Sequence, residues 1–182
     1  MVDPNIAVGF VVLLRALIPF TILRWPLLGG ILAMISDGID IMVFQGFGYA
    51  FLNGIPYNYI DKTFDTWYLF FEFLVVLRWK DTLAKRTAEI LFSWRAIGYV
   101  IFLFVGLQEV FFFTPNIFEY FFLAMIIIWK FRPHFKLKKR SMAIILLIVG
   151  IPNIIKEYYY HVAANVEIWG TIRDHVFWWL YN

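Results

Sequence analysis

Residues 88–111 read AEILFSWRAIGYVIFLFVGLQEVF, a run of 24 positions with three charged side chains, Glu89, Arg95 and Glu109. At about 1.5 Å per residue such a run is long enough to cross the ~30 Å of hydrocarbon in a bilayer. It is continuously apolar, whereas a membrane barrel needs alternating strands of about 10 residues. A helix is then required, because backbone facing lipid must satisfy its own hydrogen bonds. Working outward, residues 6–23, 26–44, 63–79, 116–129 and 142–159 are further apolar segments, of which 116–129 is the shortest. The expectation is an all-α integral membrane protein, residues 1–182 forming a single polytopic domain with six transmembrane helices.

Composition points the same way. Of 182 residues, 62% are hydrophobic and only 16% charged, where a soluble domain is about half apolar and a quarter charged. The 21 Phe, 10 Tyr and 8 Trp suit a bilayer, whose headgroup boundary favours amphipathic rings. The absence of cysteine excludes disulfides, thiolate zinc sites, iron–sulfur clusters and a cysteine nucleophile. The first apolar run follows Asp3, has no basic lead and continues to span length, so no cleavable signal peptide is expected.

The breaks between segments are chemically sensible. Arg24-Trp25-Pro26 is a tight reversal with Pro26 suited to a first helical turn. Gly46, Gly48, Asn53-Gly54 and Pro56 mark a loop, and Thr114-Pro115-Asn116 separates two further spans. Basic residues cluster in loops 78–86 (Arg78, Lys80, Lys85, Arg86) and 130–140 (Lys130, Arg132, Lys136, Lys138, Lys139, Arg140). Six spans put both loops on one side, and their Lys/Arg excess makes that side cytoplasmic in a multi-pass cell-membrane protein. The loop 46–60 then faces outward. The clusters are explained by topology, with anionic headgroups as a sharper alternative; nucleic-acid binding is not expected. In the tail, Val162, Val166, Trp169, Ile172, Val176 and Trp179 recur at helical spacing, which fits an amphipathic helix over 162–181 lying in the interface or packed on the bundle.

Charges at membrane depth need partners and mark where function should be sought. Arg15 in the first span lies at the depth of Asp37 and Asp40 in the second, and Glu72 and Arg95 lie at similar depth in the third and fourth. Each set forms a candidate ion pair. Asp37 and Asp40 are spaced i, i+3, and Asp61 and Asp65 i, i+4, so each pair shares a helix face. Four carboxylates facing one another repel strongly at low dielectric. Cations from the protein (Arg15, Lys62), protonation, or a bound divalent metal would relieve this. Hard oxygen donors favour Mg²⁺, Mn²⁺ or Ca²⁺.

Asp37-Gly38-Ile39-Asp40 and Asp61-Lys62-Thr63-Phe64-Asp65, with the stretch 15–19 in the first span, resemble the acidic motif of the CDP-alcohol phosphotransferase family, six-helix membrane enzymes of phospholipid synthesis. The resemblance covers roughly residues 10–70. It implies Asp37, Asp40 and Asp61 as ligands of Mg²⁺ or Mn²⁺, Asp65 as the base that deprotonates an acceptor hydroxyl, and a lipid substrate. The pattern departs from the family at Ile41, where a glycine is usual, and at Phe44-Gln45 in place of Ala-Arg. Matching Asp61 also requires a three-residue insertion. The missing residues are those that receive the cytidine nucleotide.

Two other classes stay open. A small transporter would use Asp37, Asp40, Glu72 and Arg95 as a proton or cation path. A non-catalytic scaffold or partner subunit would use every charge in structural pairs. His134, His161 and His175 are too scattered for a metal pair. Ser36, Ser93 and Ser141 lie in no nucleophile elbow, and no P-loop or dinucleotide glycine signature is present.

Overall fold

The computed structural model describes residues 4–47 and 56–161. Among them the protein is all-helical, with seven helices and no strand: α1 (Pro4–Ile22), α2 (Pro26–Phe47), α3 (Tyr57–Val76), α4 (Thr82–Val105), α5 (Val110–Phe113), α6 (Ile117–Phe131) and α7 (Lys139–His161). The glycine-rich loop at 48–55 and the tail expected to form an interfacial helix lie outside the described residues.

The reversal at Arg24-Trp25 is closed by backbone hydrogen bonds from Arg24 N (3.1 Å) and Trp25 N (2.8 Å) to Thr21 O. Pro26 then opens α2, where its missing N–H is no loss. Gly29 lets the hairpin close tightly: a Cβ there would stand 2.5 Å from the Ile22 backbone nitrogen. The resulting α1–α2 pair is the most extensively packed among the described helices, and α1 also packs on α3.

Helix α6 is the central rod, touching α2, α3, α4 and α7. Its Phe118, Phe121, Phe122 and Met125 are fully buried with Leu69 and Val76 of α3. Aromatic contacts continue this core at its basic-loop end, where the Trp79 ring stacks 5.9 Å from Phe122 and meets Trp129 edge-on at 4.8 Å. Asp81 caps α4 by accepting from Ala84 N at 2.9 Å, and its other oxygen accepts from Leu137 N at 2.8 Å. One carboxylate thus starts α4 and ties down the second basic loop.

The boundaries differ most from the sequence reading at three places, one of them the start of α4 at Thr82 instead of 88. Helix α3 begins at Tyr57, directly after Pro56, instead of at 63, so Asp61 and Asp65 lie inside it. The apolar run at 88–111 is broken at Gly106, whose φ of 74° is left-handed and ends α4. The rest of that run forms the short α5. A glycine at position 98 admits the turn that follows, since a Cβ would overlap Thr114 at 1.9 Å.

Among the described residues, two helical stretches, Thr82–Val105 and Lys139–Tyr158, are long and apolar enough to cross a membrane. Only 22% and 17% of these stretches is buried within the protein. The helix of a soluble core would be mostly covered, and apolar surface left exposed on this scale marks an interaction with membrane or partner.

Candidate functional site

Close packing of α1 on α2 brings Arg15 to the middle of four aspartates. Its Nη2 donates to Asp37 Oδ1 at 2.6 Å and to Asp65 Oδ1 at 2.8 Å. Its Nη1 donates to Asp61 Oδ1 at 3.1 Å and to Asp40 Oδ2. A planar guanidinium with five donors suits this role, because it reaches several carboxylates at fixed angles. Lys62 adds a second cation, 2.8 Å from Asp61 Oδ2 and 2.9 Å from Asp65 Oδ2. The Tyr57 hydroxyl donates to Asp40 Oδ1 at 2.8 Å.

The expected convergence of positions 37, 40, 61 and 65 is therefore present, and Arg15 engages both of its candidate partners and two further acids. Within the cluster the four acids differ. One oxygen each of Asp37, Asp61 and Asp65 lies within 4.8 Å of the others, a spacing that could hold a metal ion. Asp40 stands beside this triad, with one oxygen on Arg15 and the other on Tyr57.

The expected Glu72–Arg95 pair does not form. Neither carboxylate oxygen of Glu72 has a hydrogen-bond partner, and its Oε1 instead lies 3.1 Å from where Gly30 would carry a Cβ. Arg95 turns the other way, donating to Thr114 O at 2.8 Å and lying 4.3 Å over the Phe111 ring. Equal depth on neighbouring helices did not decide the pairing, because the direction of each side chain around its helix did. Glu72 follows Asp65 by seven residues, two helical turns, and so shares its face.

The triad lines a cavity of 380 Å³ that continues past Tyr68 and Arg95 to Asn116 and Glu119 of α6 and to Lys156 and Glu157 of α7. Sequence reasoning missed this second half. Glu119 and Glu157 are 3% exposed and sit inside apolar runs, so the rule that singled out the aspartates applied to them equally. A separate open depression of 490 Å³ on the outer face of α4, around Ile90 and Trp94, gathers no comparable chemistry. Compared with protein-family models, curated proteins and solved structures, the chain matches none.

Proposed function

We propose that the chain is a six-span membrane protein whose aspartate cluster binds Mg²⁺ or Mn²⁺ and supports phosphotransferase-like chemistry on a lipid or alcohol substrate. The observation that carries this reading is the grouping of Asp37, Asp61 and Asp65 oxygens within 4.8 Å at the wall of a cavity. Charge supports it. Four carboxylates face Arg15 and Lys62, which leaves two negative charges, the amount one divalent ion cancels. An all-oxygen donor set suits a hard ion. When bound, the ion would orient a phosphate and draw charge from it.

The protein's own residues have separate tasks in this scheme. Asp37, Asp61 and Asp65 present oxygens, and Asp40, fixed by Tyr57, aims Arg15. The base role implied for Asp65 suits it poorly, since its two oxygens accept from Arg15 and Lys62. Asp37 has the most exposed side chain of the four, at 36%. The site lies toward the end of the bundle opposite the basic loops; with those loops cytoplasmic, it opens to the outer side.

Titration of the purified protein with Mn²⁺, followed by electron paramagnetic resonance, tests this. Stoichiometric binding that is lost in Asp61→Asn is expected. Absence of binding to the intact protein would remove the proposal.

A second reading is favoured by the position of Arg15 among all four carboxylates: the cluster is a structural charge hub of a scaffold. That reading requires Arg15→Asp and Asp37→Arg to destabilise singly and to restore stability together, with no metal bound.

A further inference from the structure

Two arginines are buried in this bundle, and they differ in what answers their charge. Arg15 is 4% exposed and meets four carboxylates. Arg95 is 5% exposed, and among the described residues no carboxylate pairs with it. Its position is nevertheless fixed. Nη1 donates to Thr114 O at 2.8 Å, and the guanidinium lies 4.3 Å over the Phe111 ring. The close approach of Gly98 to Thr114, one turn along α4, sets the distance between the helix and that carbonyl. A guanidinium carries five N–H donors, and Thr114 takes one. No Arg95 nitrogen is among the buried atoms that lack a partner, so the donors that Thr114 leaves over are reached from the cavity that Arg95 lines.

Phe111 also relates this cation to the aspartates. Lys62 Nζ lies 5.7 Å from the centroid of the same ring. That Nζ is held by Asp61 and Asp65 at 2.8 and 2.9 Å. One aromatic ring therefore joins the acidic triad to Arg95. Glu119 shares the cavity, but its Oε2 accepts from Asn116 and not from Arg95. A buried positive charge without an anion is costly. A carbonyl and a ring face supply only part of what a full anion would.

We infer, on the metal reading above, that Arg95 is the anion receptor of the cavity and holds the phosphate group of a lipid headgroup or soluble ester, whose other oxygens face a divalent ion at Asp37, Asp61 and Asp65. The planar guanidinium fork matches two phosphate oxygens. Bare carboxylates of the triad repel an anion, so the phosphate site is complete only once the ion covers them. By linkage, phosphate must then tighten binding of the ion by the same factor.

Mn²⁺ titration of the full chain in detergent, read by electron paramagnetic resonance, tests this in three solutions of equal ionic strength: potassium phosphate, dioctanoyl phosphatidic acid and potassium chloride. Relative to chloride, a phosphate compound is expected to tighten Mn²⁺ binding about tenfold, a usual size for coupled sites. Arg95→Met should lose this gain while binding Mn²⁺ in chloride as the wild type does. Arg95→Gln, which keeps a donor for the Thr114 carbonyl, serves should Arg95→Met fail to fold. A gain from phosphatidic acid alone assigns a lipid headgroup; a gain from inorganic phosphate as well assigns a soluble ester. Equal Mn²⁺ binding in all three solutions, or a gain that survives in the variants, would overturn the role of Arg95 and leave the metal reading standing. No Mn²⁺ binding in any solution removes both.

Discussion

Arg15 serves four carboxylates from two helices with one delocalised charge, at a side-chain exposure of 3%. Removing one partner of a buried ion pair leaves the other uncompensated, which costs about 3–5 kcal/mol. Arg15→Met is expected to lower stability by that order, measured by thermal unfolding in detergent. Arg15→Lys should recover little, because a point charge on a flexible stem cannot reproduce the fork. Asp37→Asn should cost less than either, since Asp37 is the most solvated of the four. Equal stability of Arg15→Lys and wild type would show that charge alone matters. At this scale the sequence was most informative, since an ionised group inside an apolar run has to find a partner nearby. It failed for Glu72 and Arg95 because depth is legible from residue count, whereas orientation depends on how helices rotate against one another.

The helices themselves were legible as long apolar runs, and their ends were less so. Apolarity continues beyond Val105, and only a left-handed Gly106 shows where α4 stops. Residues 57–60 resemble the end of a loop, yet the helix starts directly after Pro56. Close approach between elements is equally hidden, since glycine spacing alone does not reveal which glycine meets a neighbour. Gly29→Ala would place a Cβ 2.5 Å from backbone, and Gly98→Ala would place one 1.9 Å from the Thr114 hydroxyl. Each substitution should destabilise by about 1–3 kcal/mol, as overpacking does. Gly150→Ala meets only Ile117 Cδ1 at 3.6 Å and should be neutral or stabilising by up to about 1 kcal/mol. A melting series of the three variants checks the ranking.

For the whole molecule the prediction concerns sidedness. A single cysteine introduced at Asn58, which lines the cavity, should react with a membrane-impermeant maleimide added outside intact cells. One introduced at Lys138, in the second basic loop, should react only after the membrane is opened. The reverse pattern would invert the proposed topology and place the cavity toward the cytoplasm. The absence of native cysteine makes this labelling unambiguous. The half of the cavity built from α6 and α7 was not foreseen, because those glutamates come from elements far from the aspartates in sequence and join them only through the central position of α6.

Asp81 holds two chain segments with one carboxylate, 56 residues apart from the amide of Leu137. This makes it a latch against proteolysis. Lys136 and Lys138 flank that amide and are exposed, yet a protease can cut only chain that peels away from its support. In Asp81→Ala, inverted membrane vesicles treated with trypsin should be nicked between residues 136 and 139 several times faster than wild type, giving two fragments that stay embedded together. An unchanged digestion rate would mean that neighbouring contacts, rather than this carboxylate, hold the segment in place.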